Sequence, residues 1–389
     1  MKSSIVWGTG HGIDGREAAR QASQEALEHL GTARPGGIIV LAAQEYPAVE
    51  VLSGLANLPA DVPVWGMTTS QAFTRLGEHP RSIVVAILSG SEWKIQTVWQ
   101  PQFGRDSSAA GRGLSQTLAE SGSQWKGLLL AADGIQGDAT QILPVLTGLD
   151  FPVAGGLAAG EVPSGMTYQF GDNQCSNGAL SGLALGGNLR LGTGLGQGWQ
   201  DTGIYFMVTK SHGVWLQGLD HQTPAEIYAR IFGIPSRQWA FPPLTQLVRL
   251  YPLGLEVSQG RPERIVRSPL QVEVDGSFRM NASIGEGETV HLMVGDAQSC
   301  LESARVSVRQ ALAGIGKARP LLALIFVDLA WHILLETHPG RLTTILHEEL
   351  GDVPLIGAYT LGQITRPPGR DDLVRFYNQS ILTTVIGEA

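Results

Sequence analysis

Three loops of this sequence carry residues that could hold a small molecule through hydrogen bonds. Each loop begins at a glycine three positions after a proline, in residues 63–66, 152–155 and 354–357. Glycine lets the backbone come close to a ligand, and nearby hydroxyl and amide groups add donors and acceptors. We predict that the three loops form one binding site. Its predicted residues are Gly66, Thr68, Thr69, Ser70, Gly155, Gly156, Tyr359, Thr360, Gln363 and Asn378.

Two acidic residues extend this prediction. Asp133 and Asp328 each follow an apolar run of strand length. A carboxylate at a strand end could receive the ammonium group of a ligand, or it could cap the helix that follows. An enzyme that uses Asp133 or Asp328 as its acid or base is a further alternative. Because no activated nucleophile or cofactor motif accompanies either residue, we do not predict an enzyme.

Nine histidines allow a heme hypothesis. His332 lies beside Trp331 in the most apolar segment, residues 321–335, and an axial ligand suits such surroundings. The sequence has no Cys-x-x-Cys-His attachment motif and no closely spaced His/Cys cluster for structural zinc. Heme bound at His332 therefore remains an alternative cofactor, and no other metal site is predicted.

A glycine pattern near the start of the chain resembles a phosphate-binding turn. Gly10, Gly12 and Gly15 match G-x-G-x-x-G between a short strand and a helix. In a dinucleotide site the pyrophosphate sits on that helix N-terminus, and an acidic residue follows about 20 positions later. Here the strand is very short and the acidic residue is ambiguous. The pattern favours a polar, glycine-rich turn.

The elements around the three loops repeat along the chain. Each proline–glycine segment follows an apolar strand and a helix-length segment, and each precedes a polar loop and another apolar strand. Apolar strands without polar alternation are typical of sheets covered by helices on both faces. Such repetition predicts a mixed α/β (α+β) fold of layered sheets and helices, built from repeated strand–helix–strand units.

Two helices can be placed with specific signals. Residues 15–30 are predicted as a helix because alanines at positions 18, 22 and 26 and Leu30 share one face. Thr223 and Pro224 predict a second helix start, with threonine as the cap and proline at the first position.

Size and composition limit the classes of protein. A chain of 389 residues favours two domains, which we place at residues 1–222 and 223–389. A net charge of -8 and the absence of a Lys/Arg-rich run argue against nucleic acid as a partner. The sequence shows no secretory signal and no run of 18 apolar residues, so we expect a cytoplasmic protein without membrane insertion.

Two sets of motifs resemble the FIST family. The resemblance to the amino-terminal FIST domain rests on residues 153–158 (VAGGLA) and 167–170 (TYQF). The resemblance to the carboxy-terminal FIST domain rests on residues 353–364 (VPLIGAYTLGQI) and 377–380 (YNQS). It implies a sensory protein that binds a small ligand, such as an amino acid or related metabolite, in a cleft between the FIST domains.

The same resemblance implies signalling to a partner protein such as a histidine kinase. Some relatives bind heme and respond to nitric oxide, and the family brings no established catalytic residues. This chain departs from the family pattern at residues 326–331 (FVDLAW), where a cysteine and then an arginine are often found. It also has Gln363 in place of the usual glutamate. A ligand that requires that arginine or glutamate is not expected here.

Overall fold

The chain folds into three units that share one order of elements, and a separate module is inserted into the third unit. The computed structural model describes residues 3–160, 166–257, 264–367 and 373–389. Each unit has the order strand, helix, strand, helix, strand, hairpin and strand. In the third unit, two consecutive helices take the place of the second helix. The arrangement confirms the predicted mixed α/β fold of repeated strand–helix–strand units.

The first two units are continuous in sequence. The first consists of β1 (Ser4–Gly10), α1 (Gly15–Leu30), β2 (Gly37–Ala43), α2 (Ala48–Gly54), β3 (Val64–Thr69), β4 (Gln71–Thr74), β5 (Gly77–His79) and β6 (Ile83–Ser89). The second consists of β7 (Trp93–Gln100), α3 (Ser107–Glu120), β8 (Trp125–Ala132), α4 (Leu143–Thr147), β9 (Val153–Leu157), β10 (Gln169–Gly171), β11 (Gln174–Ser176) and β12 (Leu180–Gly187).

The third unit is interrupted after its first strand, β13 (Leu189–Gln197). The inserted module consists of β14 (Trp199–His212), β15 (Trp215–Leu219), α5 (Pro224–Phe232), α6 (Leu244–Leu247), β16 (Leu253–Glu256), β17 (Arg264–Arg267), β18 (Pro269–Val272), β19 (Phe278–Met280) and β20 (Thr289–Gly295). The third unit resumes with α7 (Ala297–Gly314), β21 (Arg319–Asp328), α8 (Leu329–Leu334), α9 (Arg341–Leu350), β22 (Leu355–Thr360), β23 (Gln363–Thr365), β24 (Arg375–Tyr377) and β25 (Ser380–Glu388). Short 3-10 helices lie at Ala139–Ile142, Ser236–Ala240 and Val248–Leu250.

Both sequence-specific helix starts are present. The α1 helix spans the predicted residues, and the Asp14 carboxylate caps it by accepting the Glu17 N–H at 2.9 Å. The α5 helix begins with a capping box in which Thr223 and Glu226 bond each other's backbone N–H groups. These caps satisfy backbone donors that the first turn of a helix leaves unpaired.

Each unit gives its hairpin to the sheet of a neighbouring unit. The sheets have the orders β1-β6-β2-β3-β10-β11, β24-β23-β9-β8-β12-β7 and β13-β25-β21-β22-β4-β5. The first hairpin thus joins the third unit, the second joins the first unit, and the third joins the second unit. Within every unit the two central strands run parallel, and their carboxyl ends lie at one end of the sheet.

The three sheets pack against one another around a shared core. Leu41, Trp65, Leu129, Leu183 and Phe326 are among the residues of this core, and all three units contribute to it. The opposite face of each sheet is covered by the helices of its own unit. Because the central strands are covered on both faces, they lack polar alternation, as the sequence indicates.

The inserted module has a sheet and a core of its own. Its seven strands follow the order β17-β16-β20-β14-β15-β19-β18. Tyr228, Trp239 and Phe278 fill the space between this sheet and α5. The predicted division of the sequence at residue 222 lies inside this module, between β15 and α5, and it stays a prediction.

Candidate ligand-binding site

The three predicted loops meet at the carboxyl ends of the parallel strands. The Thr68 hydroxyl of the first unit donates to the Ala159 carbonyl of the second at 3.0 Å. The Leu157 N–H of the second unit donates to the Gly362 carbonyl of the third at 2.9 Å. The loops of the three units therefore contact one another directly.

Most of the predicted loop residues are buried by this contact. Of the ten, Ser70 is partly exposed and the other nine are buried. A Cβ added at Gly66 would overlap the Val40 carbonyl, and one added at Gly155 would lie 2.6 Å from the Leu130 Cβ. Both glycines thus allow close packing against the parallel neighbouring strand. A ligand-binding role for the ten residues stays a prediction.

The threonines at the ends of two strands bond to the strand beside them. Thr69 Oγ1 donates to the Ala42 carbonyl at 3.3 Å, and Thr360 Oγ1 donates to the Val327 carbonyl at 3.4 Å. Gly156 lies at the centre of the loops, where an added Cβ would be 3.3 Å from Thr360 Cγ2. The space around these groups is filled by the protein itself.

Gln363 and Asn378 belong to one buried polar network that joins the third unit to the inserted module. Gln363 Oε1 accepts the Asp328 N–H at 3.1 Å, and its Nε2 donates to Ser380 Oγ at 2.5 Å. Asn378 Oδ1 accepts the N–H of Ser268, a residue of the module, at 3.2 Å. Buried polar groups are normally paired in this way, and the pairing fixes the orientation of both amides.

Asp133 and Asp328 occupy equivalent positions in the second and third units. Asp133 directly follows the last residue of β8 that pairs with β9, and Asp328 is the last residue of β21 that pairs with β22. Each accepts the N–H of the residue that leads into the last strand of its unit: Gly178 at 2.8 Å and Gln379 at 2.9 Å. Each also accepts N–H groups from the turn that follows it. Each carboxylate therefore holds two backbone segments together, and we call it a backbone clamp. This role corresponds to the capping function that the sequence suggests as the alternative to binding an ammonium group. Ala43 takes this place in the first unit.

A cleft of about 670 Å³ opens beside this end of the strands, between the three units and the inserted module. Its size lies within the range of about 300–1,000 Å³ that is typical of small-molecule sites. One wall belongs to the units and contains Gln44, Gly160, Leu329 and Ile333. The other wall belongs to the module and contains Ala240, Pro242, Thr245, Gln246, Arg249, Leu270 and Gln271.

Arg249 is the charged residue among the described residues that line this cleft. Its side chain is 6% exposed, and its Nη2 donates to the Leu270 carbonyl at 3.3 Å. Burial lowers the pKa of Arg249, and the negative charge of Asp328 opposes that shift. Burial likewise raises the pKa of Asp328, while the N–H groups of Ala330 and Gln379 and the charge of Arg249 act in the other direction. The two groups are thus electrostatically linked beside the cleft.

The cleft residues differ from those that the sequence indicates. None of the twelve predicted residues, all of which the structure describes, lines the cleft wall. Asp328 comes nearest, because Leu329 follows it in the chain and Arg249 interacts with it. Arg249 was missed; its one sequence signal is a charge between the apolar residues Val248 and Leu250.

The surroundings of His332 do not fit a heme. Its side chain is 38% exposed, and its Nδ1 lies 3.9 Å from Oε2 of Glu78. The Tyr359 ring packs against it at 4.7 Å, and the Tyr359 hydroxyl donates to Glu78 Oε1 at 2.8 Å. The pocket there is about 130 Å³, well below the roughly 300 Å³ of the smallest drug-sized sites. A porphyrin is too large for this space.

The glycine-rich turn before α1 is filled by the protein. The Gly15 N–H donates to Glu50 Oε2 at 3.0 Å, and the Gly12 N–H donates to the Tyr46 hydroxyl at 3.4 Å. A phosphate at this helix N-terminus would have to displace a carboxylate of the same charge. This geometry agrees with a polar turn.

Two further points concern residues 3–160, 166–257, 264–367 and 373–389. Within them, no group of three or more His, Cys, Asp or Glu side chains is arranged to hold a metal ion. No helix in the same part of the chain has the length and apolar character to cross a lipid bilayer.

The fold and the cleft define an α/β protein with a ligand-sized space between a three-unit body and an inserted module. Residues 37–222 match the FIST N domain, and residues 224–366 match the FIST C domain. The chain belongs to the FIST family. FIST domains imply a sensory role that involves binding a small ligand. Gln44 and Gly160 of the cleft lie in the FIST N range, and Arg249 lies in the FIST C range.

Other comparisons give distant similarity. No curated protein sequence matches this chain. A chorismatase structure is 9% identical, with 100% of this chain and 99% of that chain covered and a TM-score of 0.34. A cyanuric acid hydrolase is 11% identical, with both chains covered at 100% and a TM-score of 0.32. PurLQS from Thermotoga maritima is 9% identical, with 100% of this chain and 72% of that chain covered and a TM-score of 0.26. At these TM-scores the similarity supports no statement about this protein.

Proposed function

We propose that this FIST protein senses an amino acid or a related metabolite that binds in the 670 Å³ cleft. The observation that carries the proposal is the composition of the cleft, because its lining combines Gln44 and Gly160 of the FIST N range with residues of the FIST C range such as Arg249. A ligand between these walls contacts the body and the inserted module together. The site residues predicted from the loops would then support the cleft and would not line it.

The signal is proposed to arise from a change in how the module sits on the body. Buried hydrogen bonds hold the two parts together in the structure, including Arg267 Nη1 to the Phe376 carbonyl at 3.0 Å. A second runs from the Asn281 amide to the Leu361 carbonyl at 2.5 Å. A ligand that binds one arrangement of the walls more tightly shifts the population toward it.

The receiver of the signal is proposed to be another protein, such as a histidine kinase, and the location to be cytoplasmic. Both parts of the proposal rest on the resemblance to the FIST family. They predict that a ligand of the cleft changes the affinity of this chain for its partner. By linkage, the partner changes the affinity for the ligand by the same factor.

Isothermal titration against the twenty standard amino acids and their 2-oxo acids tests the binding step. Ile333→Trp should abolish binding, because the indole projects from the α8 wall into the space that the ligand would occupy. Val306→Trp is the matched control, because Val306 is 39% exposed on α7 and does not line the cleft. The absence of heat across the whole panel, or equal affinity in both variants, would contradict the proposal.

Hydrogen exchange provides a second test of the same proposal. A bound ligand should slow amide exchange in Val248–Leu250 of the module and in α8 of the body, since both segments contribute residues to the lining of the cleft. Protection confined to other surfaces would place the ligand elsewhere.

A further inference from the structure

One feature of the cleft goes beyond a general small-ligand site, namely the buried Arg249, the charged side chain among the described residues of its wall. Arg249 carries five N–H donors in a planar fork that suits two oxygens of a carboxylate. Among the described residues its guanidinium has one hydrogen-bond acceptor, the Leu270 carbonyl. The side chain lines the cleft although it is 94% buried. Its remaining N–H donors are therefore available to an acceptor in the cleft.

The nearest carboxylate does not take up these donors. Asp328 uses its oxygens as a clamp: Oδ1 accepts the Ala330 N–H at 3.0 Å, and Oδ2 accepts the Gln379 N–H at 2.9 Å. Its attraction to Arg249 acts through space, and no direct ion pair between them occurs among the described contacts. Asp328 moderates the positive charge and leaves the guanidinium fork open to a ligand.

The rest of the wall is neutral. Gln44, Gln246 and Gln271 offer amides, and Thr245 offers a hydroxyl. Leu329 and Ile333 offer apolar surface on the body side. Within the described lining, no carboxylate faces a cationic group of a ligand. The chemistry of the wall therefore matches one single-charged anionic group on a largely neutral body.

We infer that the cleft selects ligands by a carboxylate that pairs with Arg249, and that an ammonium group on the ligand contributes little to affinity. This inference rests on the proposed function, because it assigns the recognition group of the same cleft. It distinguishes the carboxylate from the amino group, although amino acids carry both.

Three probes of nearly equal shape separate these contributions. L-Leucine has both charged groups, 4-methylpentanoate lacks the ammonium group, and L-leucinamide lacks the carboxylate. We expect leucine and 4-methylpentanoate to bind with dissociation constants within threefold of each other. We expect leucinamide to bind at least tenfold more weakly. These measurements use the unaltered protein, so they do not depend on the folding of a variant.

Variants of Arg249 connect the carboxylate to the residue. Arg249→Gln should weaken 4-methylpentanoate at least tenfold and leave leucinamide unchanged, while Arg249→Lys should recover part of the loss because it keeps the charge without the fork. Arg366→Gln is the matched control: Arg366 also donates to backbone carbonyls, those of Thr147 and Leu149, but it joins two units of the body and does not line the cleft. It should not change the affinity.

The outcomes separate this inference from the proposed function. Equal affinity for leucinamide and 4-methylpentanoate, or an unchanged affinity in Arg249→Gln, overturns the carboxylate inference. The proposed function survives that result if Ile333→Trp still abolishes binding of the probes. Binding of none of the three probes also overturns the inference, and the amino-acid panel then decides the proposed function separately.

Discussion

The strand ends of the second and third units are built alike but have different surroundings. Asp133 and Asp328 hold the same register position, and each anchors the last strand of its unit through a backbone N–H. Asp328 interacts with the positive charge of Arg249, a residue of the inserted module, and the cleft opens beside it. The same backbone clamp can thus serve stability alone in one unit and also influence the charge of the proposed ligand site in another.

Removing either clamp should produce the largest loss of stability. Asp133→Ala and Asp328→Ala should each lower the free energy of unfolding by about 2–4 kcal/mol, because buried N–H groups lose their acceptor. A double-mutant cycle with Arg249→Met distinguishes the two. We expect a coupling energy of about 1 kcal/mol or more for position 328 and less than about 0.5 kcal/mol for position 133. Urea unfolding measures both, and equal coupling would break the comparison.

Glycines in the two units should respond differently to a methyl group. In Gly357→Ala the added carbon would meet the Phe73 ring of the exchanged hairpin and lie 2.7 Å from the Ile325 carbonyl. In Gly156→Ala the nearest atom is Met67 Cε at 3.1 Å, the flexible end of a side chain. We expect a loss of about 1–3 kcal/mol for Gly357→Ala and a smaller loss for Gly156→Ala. Thermal unfolding of both variants checks the order, and the reverse order contradicts it.

The charge of Asp328 should weaken the binding of a carboxylate. At pH 8, Asp328→Asn should tighten 4-methylpentanoate about threefold, because the positive charge of Arg249 then acts on the ligand without the opposing charge of Asp328. Titration calorimetry gives the ratio, and Asp133→Asn supplies the reference for an Asp-to-Asn change at a clamp. Equal changes of the dissociation constant in both variants would show that the charge of Arg249 does not distinguish the two units.

The smallest effect concerns pH. Burial raises the pKa of Asp328 in the folded chain above its usual value of 3.8. The folded state therefore binds more protons than the unfolded state between the two pKa values. Stability should fall as pH rises from about 4 through the folded pKa, and Asp328→Asn should remove that part of the slope. Unfolding by urea across this range measures it; a slope that survives in the variant assigns it to other groups.

Local signals in the sequence predicted local structure well. The side-chain cap at Thr223 depends on Glu226, three positions further on, so a short segment contains the whole arrangement. The span of α1 followed from alanines that share one helix face. The repeated order of elements was also visible, because each unit carries its own apolar runs. Strand pairing was not, since the exchanged hairpins bond to strands of other units. Tyr359 pairs with Gln71, for example, nearly three hundred residues away.

The residues that line the proposed cleft were not predicted from the sequence, for a physical reason. Glycine in a loop signals close approach, but it does not tell what approaches; at Gly66 it is the neighbouring strand. The loops at the carboxyl ends of the parallel strands do meet, and the proposed cleft opens beside them. Arg249 reaches that region from a module inserted between β13 and α7. Nothing in the local sequence around residue 249 places it next to Asp328.

The circular exchange of hairpins has a consequence for how the chain could be divided. Each unit alone would keep a strand whose outer edge is normally covered by another unit, together with a hairpin that has no sheet to join. Uncovered strand edges readily pair with other chains. Cutting the chain between units would therefore yield fragments that reassemble or aggregate. We expect the three units to fold and unfold cooperatively.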